Sequence, residues 1–347
     1  MRTPRRVLAL AAVGAVALAL VGCGDGGSDD ASAPGDKKIT IYSGRGESLV
    51  KPLLERFEKA TGITVRVRYG DSAQLAAQLL EEGDRSPADV FLAQDAGALG
   101  AVAKAGRFAT LPQAQLDKVP AGFRAADGRW VGVTGRSRVL VYHADQVSAD
   151  QLPTSVLELT DPRWRGKVGI VPTNASFQAF VTALRLQHGE AKAREFLAGL
   201  KANEVHIRER NTQIVEDVND GKLAAGLVNH YYVYEKAQEA GVDVKSLKAR
   251  LHFFPGGDTG ALVNVSGVGV LNRAGSDPDA AALVEFLLGQ EAQTYFTTEV
   301  SEYPLAAGVS AAPGLPPLGS LAPPKINLND LDTLAETVEL IKSVGLA

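Results

Sequence analysis

The chain has 347 residues, with 36 Lys and Arg against 40 Asp and Glu, a formal net charge of −4, 45% hydrophobic residues and 22% charged residues. That balance excludes a disordered, collagen-like or coiled-coil chain, and the length suits two lobes of ordinary size better than one core. A single cysteine excludes a disulfide framework and a cluster of thiolate metal ligands, because both need cysteines in sets.

Arg2, Arg5 and Arg6 precede an uninterrupted apolar run over residues 7–21, too short for a typical membrane span and shaped like an export signal. The run ends in Leu20, Val21, Gly22 and Cys23, which resembles the lipobox of bacterial lipoproteins. That resemblance implies a signal peptide over 1–22 and lipid attached to Cys23, and so accounts for the lone cysteine. The Arg5–Arg6 pair is compatible with twin-arginine export as well as the general secretory route. Removing 1–22 takes away three Arg and no acid, so the formal charge falls to −7. An acidic mature chain argues against nucleic acid as a partner. Residues 23–36 are rich in Gly, Asp, Ser and Ala and read as a flexible tether.

Residues 38–42 read as a strand, followed by the glycine-bracketed turn Ser43-Gly44-Arg45-Gly46 and a helical stripe of Leu49, Val50, Leu53, Leu54 and Phe57. Gly62 ends that helix. Residues 63–69 alternate as a second strand, Leu75, Ala76, Leu79 and Leu80 mark a second helix, and 88–92 form a third strand after Pro87. This βαβαβ order predicts an α/β fold with a largely parallel sheet. A long extended run over 130–142 carries Val133, Val139 and Val141 on one face and Thr134, Arg136 and Arg138 on the other. A second such run spans 261–271. Between them lie a strand at 167–171, a helix at 177–186 and a strand at 224–228. The chain is expected to build one lobe, 37–134 plus 262–312, cross to a second, 135–261 plus 313–347, and return. After Pro304 a proline-rich stretch leads into a helix over 328–344. Two α/β lobes joined by crossing strands describe a receptor that closes over a ligand.

The screen for chemistry is largely negative. His143, His188, His206, His230 and His252 include no pair at helical metal-ligand spacing, and the chain has no nucleophile elbow, P-loop or complete dinucleotide fingerprint. No catalytic constellation emerges, so an enzyme is not expected. One cluster stands out. Asn229, His230, Tyr231, Tyr232 and Tyr234 follow the strand 224–228 and precede a helical stretch at 235–240, where ligands bind in α/β sheets. Two phenol oxygens converging on one point suit a hard, highly charged cation, and displacing a proton from a group with pKa near 10 needs a strongly polarising metal such as Fe³⁺.

Several stretches carry a family resemblance: Ile39-Thr40-Ile41-Tyr42-Ser43-Gly44-Arg45, Pro87-Ala88-Asp89-Val90-Phe91, residues 130–142 with Arg136 and Arg138, Asp161-Pro162-Arg163-Trp164-Arg165-Gly166-Lys167-Val168, Val171-Pro172-Thr173, Asn229-His230-Tyr231-Tyr232 and Glu302-Tyr303-Pro304-Leu305. Together they resemble the periplasmic ferric-ion-binding proteins, solute receptors of bacterial iron ABC importers, from about residue 38 to 305. The resemblance implies a two-lobed, transferrin-like type II binding fold with hinge strands. It also implies iron held as phenolates by Tyr231 and Tyr232, and delivery to a permease with its ATPase by a monomer on the outer face of the cytoplasmic membrane. The same scaffold used for another organic or oxyanion solute is the alternative within the binding class.

Two family ligands are replaced here. Gly46 stands where many relatives carry His, and Gln94 followed by Asp95 where they carry Glu; Asn174-Ala175-Ser176 lies near the place of a third Tyr in others. Iron would therefore take its remaining coordination from small anions and water. The family binds a synergistic phosphate or carbonate, and the expected anion site comprises Ser43, Gly44 and Arg45 on the first loop, Arg136 on the crossing strand, the helix start Asn174, Ala175 and Ser176, and Asn211 and Asn229 by match to the family. Arg138 is expected to be structural.

Overall fold

The computed structural model describes residues 35–347; the expected signal peptide, Cys23 and nearly all of the tether lie outside the described residues. Among the described residues ten strands form the frame: β1 (Lys38–Ser43), β2 (Thr64–Tyr69), β3 (Val90–Ala93), β4 (Val131–His143), β5 (Val168–Ile170), β6 (His206–Ile207), β7 (Ala225–Asn229), β8 (Ala249–His252), β9 (Val263–Val270) and β10 (Tyr303–Pro304). They join in the order β2-β1-β3-β9-β4-β7-β5-β6, with β8 and β10 both paired to β4. β1 is parallel to β2 and β3, and β5 to β6 and β7. These are the two parallel sets that alternating strands and helices dictate, but the sheet as a whole is mixed and not largely parallel as expected, because β4 and β9 join the sets through antiparallel pairs.

The long strand β4 connects them. Residues 131–137 pair antiparallel with β9, and 134–135 with β10. From Arg138 onward its partners become β7 and β8. The change of partners falls between Ser137 and Arg138. Because β4 is central and covered on both faces, Thr134, Arg136 and Arg138 are all within 2% of complete burial. Sequence alternation separates the two faces but cannot reveal that both are covered.

Helices pack as their apolar stripes require. The helix Glu47–Thr61 buries Val50, Leu53, Leu54 and Phe57 and stops at Gly62, whose left-handed φ of 70° lets its N–H reach the Glu58 carbonyl. Ring pairs Phe57 with Phe286 and Phe91 with Phe108 consolidate one side of the molecule, and Phe177, Phe180 and Phe196 the other. The C-terminal helix differs from expectation. It divides into a short 3₁₀ turn, Leu328–Asp332, and the helix Leu334–Val344, with Thr333 off the helical conformation between them. The turn lies against the helix Ala96–Lys104, where a Cβ added at Gly97 would stand 2.6 Å from the Leu331 carbonyl oxygen. The helix Leu334–Val344 instead joins the helix Ala175–His188, with the Thr182 and Thr337 hydroxyls 2.7 Å apart.

Candidate metal and anion site

The ends of β1 and β7, the loop after β5, the start of the helix after β6 and the middle of β4 bring the expected residues to one region. At β7 the connection is shorter than the sequence suggests. Asn229 ends the strand, His230 already has helical angles, and the helix Tyr231–Ala240 begins at the first tyrosine. No open loop intervenes. Tyr231 is buried and Tyr232 half-buried, with ring centroids 4.2 Å apart and planes inclined at 34°. Tyr234 turns elsewhere: its hydroxyl donates to the Pro313 carbonyl at 3.4 Å.

Asn211, first residue of the helix Asn211–Asn219, donates its amide to the Tyr232 hydroxyl at 3.4 Å. Its Oδ1 is buried without a partner. Burial pushes the Tyr231 phenol well above its ordinary value; Tyr232 adds to the rise, while Arg136 and Arg45 oppose it. No group of three or more His, Cys, Asp or Glu among the described residues is placed to hold a metal ion. The distinctive oxygen donors are therefore these phenols.

Three guanidiniums act on the pair. Arg45 is buried; its Nη2 lies 2.7 Å from Glu302 Oε1, and its Nε has no partner. Burial works against the charge on Arg45, but Glu302 and then Tyr231 outweigh it and hold its pKa above the ordinary value. Arg136 reaches the Val265 carbonyl only at 3.5 Å and leaves Nε and Nη1 unpartnered. Arg138 donates to the Leu227 carbonyl at 2.9 Å and the Ser176 hydroxyl at 3.5 Å, and lies over the rings of Phe177 and Phe180. Its Nε is also unpartnered, and burial lowers its pKa to about 9 despite the pull of Tyr232 and Tyr231. Each unpartnered buried donor costs about 1–3 kcal/mol. Such a concentration of unpartnered donors calls for an explanation.

Other expected residues are already engaged. Ser43 Oγ donates to the Arg45 carbonyl and accepts from the Arg45 N–H, and the Gly44 N–H donates to the Leu92 carbonyl. Gly44 has no room for a side chain: an added Cβ would stand 1.9 Å from Ser72 Oγ. The turn thus positions the Arg45 guanidinium, with the Arg45 N–H spent within it and the Gly44 N–H on Leu92 of β3. Asn174 caps the helix Ala175–His188, its Oδ1 accepting from the Ser176 N–H at 3.0 Å and the Ser176 hydroxyl at 2.5 Å. Ala175 follows the cap and is buried, and Asn229, paired with Arg138 across β4 and β7, is buried beside the tyrosines.

Glu302 is the residue that sequence reasoning passed over. It is fully buried and accepts from the Thr134 hydroxyl at 2.5 Å as well as from Arg45. Burial would raise the carboxyl, yet Arg45, then Arg136, and the hydrogen bonds hold it below the ordinary carboxylate range. The available signal was an acid directly before an aromatic and a proline, Glu302-Tyr303-Pro304, within a stretch otherwise poor in charge.

The α/β fold thus gathers paired phenols and buried guanidiniums in one region, an arrangement suited to a binding protein. The chain belongs to the bacterial extracellular solute-binding protein family, whose model matches residues 85–326. Among its relatives is the Fe(3+)-binding periplasmic protein of Serratia marcescens, 36% identical over 91% of this chain and 92% of that protein. Iron-bound HitA from Pseudomonas aeruginosa superposes with a TM-score of 0.83 at 36% identity, covering 89% of this chain and 99% of that one. A Trichodesmium protein, IdiA or FutA, in complex with iron and citrate, superposes at 0.76 with 29% identity, covering 89% and 100%. The fold is thus the two-lobed type II periplasmic binding fold.

Proposed function

We propose that the chain is an extracytoplasmic receptor that binds ferric ion with a synergistic oxyanion and delivers the iron to an ABC importer. The observation that carries this reading is the adjacent pair Tyr231 and Tyr232, ring centroids 4.2 Å apart and within the field of Arg45, Arg136 and Arg138. Two phenolates offset only part of a trivalent charge and fill only part of its coordination shell. Carbonate or phosphate, held by the unpartnered nitrogens of Arg45 and Arg136, completes both. The named relatives support iron as the cargo, and the complex of one of them with both iron and citrate supports an accompanying anion. A different organic or oxyanion solute is not favoured, because it leaves the paired phenols without a purpose. Catalysis is not part of this reading: the relatives are named as binding proteins.

In this reading the lobes are 37–134 plus 262–312 and 135–261 plus 313–347. The change of β4 partners between Ser137 and Arg138 supports a hinge close to that division. The receptor is a monomer, carried by lipid on Cys23 on the outer face of the cytoplasmic membrane, and its partners are a permease and its ATPase. No helix among the described residues is long and apolar enough to cross a membrane. Ferric nitrilotriacetate added to iron-free protein tests the reading: a visible phenolate-to-iron band should saturate at one ion per chain and require bicarbonate or phosphate. Protein that stays colourless, or an iron affinity indifferent to thorough anion depletion, would overturn it.

A further inference from the structure

His230 is the single residue between β7 and the tyrosine helix, and it is completely buried. Its Nδ1 accepts from the Ser137 N–H at 3.2 Å, while its Nε2 lies 2.8 Å from the Ser301 carbonyl oxygen. A carbonyl can only accept, so the proton sits on Nε2. The His230 N–H in turn donates to the Ser137 carbonyl at 3.1 Å. Ser137 is the last β4 residue paired with β9 before the partners change.

On the other side, Ser301 holds a left-handed φ of 59°, a conformation that costs a non-glycine residue about 1 kcal/mol. It is followed directly by Glu302, which accepts from Arg45 and Thr134. The His230 ring lies 4.8 Å from that of Tyr303 and meets Tyr231 edge-on at 6.0 Å. A continuous chain of contacts therefore runs from the phenols through His230 and Ser301 to the Glu302–Arg45 pair.

We propose that His230 is a positioning residue that fixes the tyrosine pair relative to the Arg45–Glu302 pair, so that the phenolates and the anion-holding guanidinium converge on one ion. This rests on the ferric reading above. His230 touches neither ion nor anion; it acts through the direction it gives to both of their holders. A neutral amide side chain can replace either half of the link. Glutamine places a donor near the position of Nε2 and can keep the bond to Ser301, whereas asparagine is too short and keeps only the acceptor for Ser137.

The test titrates H230N, H230Q and the unsubstituted protein with ferric nitrilotriacetate over a bicarbonate series, beside thermal unfolding without iron. H230N should lose about tenfold or more in ferric affinity, as the loss of an outer-shell partner commonly does, need more bicarbonate for half-saturation and shift the visible band. H230Q should recover most of each. Wild-type behaviour of H230N, or H230Q as impaired as H230N, would overturn the proposal. T134V, which loosens Glu302 from the far end of the chain of contacts, should raise the bicarbonate requirement in the same way, even if H230N does not fold; an unchanged requirement there would also overturn it. Colour in the unsubstituted protein separates the two levels: without it the ferric reading fails, while colour with an unaffected H230N sinks only the positioning role.

Discussion

At the scale of single residues, the chemistry rests on which oxygen atoms can lose a proton. Y231F and Y232F keep the ring and its packing and remove the donor, so each should cost more than the roughly 10–100-fold in metal affinity typical of an outer-shell loss, and should diminish or shift the visible band. Y234F should change neither, because that hydroxyl faces Pro313. Ferric titrations of the three variants, with their unfolding compared in the absence of iron, show which of the three hydroxyls reach the ion. The same phenols set the pH dependence. With its pKa raised above 10 by burial, Tyr231 is protonated near neutrality, so loading must release its proton. Iron retention against a fixed competing chelator should therefore weaken steadily from neutral to distinctly acidic buffer, and retention independent of pH would rule out a phenolate site. Glu302 gives a second signature, in the iron-free protein. Its folded pKa lies below the ordinary value, so the stability it contributes is present above about pH 4.3 and is lost as pH falls through the lower folded value. E302Q leaves Arg45 buried without its counter-ion and should cost about 3 kcal/mol at neutral pH, with the difference from wild type shrinking in acid below that range. Urea unfolding at several pH values checks this; a difference constant down to strong acid would contradict it.

At the scale of elements, periodicity was enough for most of the frame. The stripes of the first helices and the alternation of the two long runs correspond to Glu47–Thr61, Ser72–Glu82, β4 and β9 within a few residues. Features set by contacts distant in sequence were not legible. The helix at Tyr231 starts earlier than its polar residues suggest because His230, braced by Ser137 and Ser301, already takes helical angles. The pairing of Arg45 with Glu302 spans 257 positions and no local pattern announces it. The Ser43–Arg45 turn shows the reverse case, a loop whose glycines were legible but whose purpose is packing at one of them. G44A forces a Cβ against Ser72, whose Oγ accepts from the Gln94 N–H. It should lower stability by about 1–3 kcal/mol and weaken iron retention by displacing Arg45. Thermal unfolding and a ferric titration measure the two effects, and wild-type values in both would show that the close approach is not needed.

At the scale of the whole molecule, the two-lobed route was legible because an α/β pattern lies on each side of the long extended runs. The C-terminal segment was less so, since its turn at Leu328–Asp332 and its helix Leu334–Val344 lie against different helices. Arg45, Arg136, Arg138 and Tyr231 are all buried, so the proposed receptor would have to part its lobes for iron and anion to reach them. In that reading, closure gathers residues from the turn after β1, from β4 and from the tyrosine helix around one ion. The most direct test is diffraction from iron-loaded crystals with data collected at the iron absorption edge. The account predicts one anomalous peak within bonding distance of both the Tyr231 and Tyr232 hydroxyl oxygens, with a small oxyanion between that ion and Arg45 or Arg136. An iron peak elsewhere in the chain, or a loaded crystal in which the two tyrosine hydroxyls do not share the ion, would contradict it.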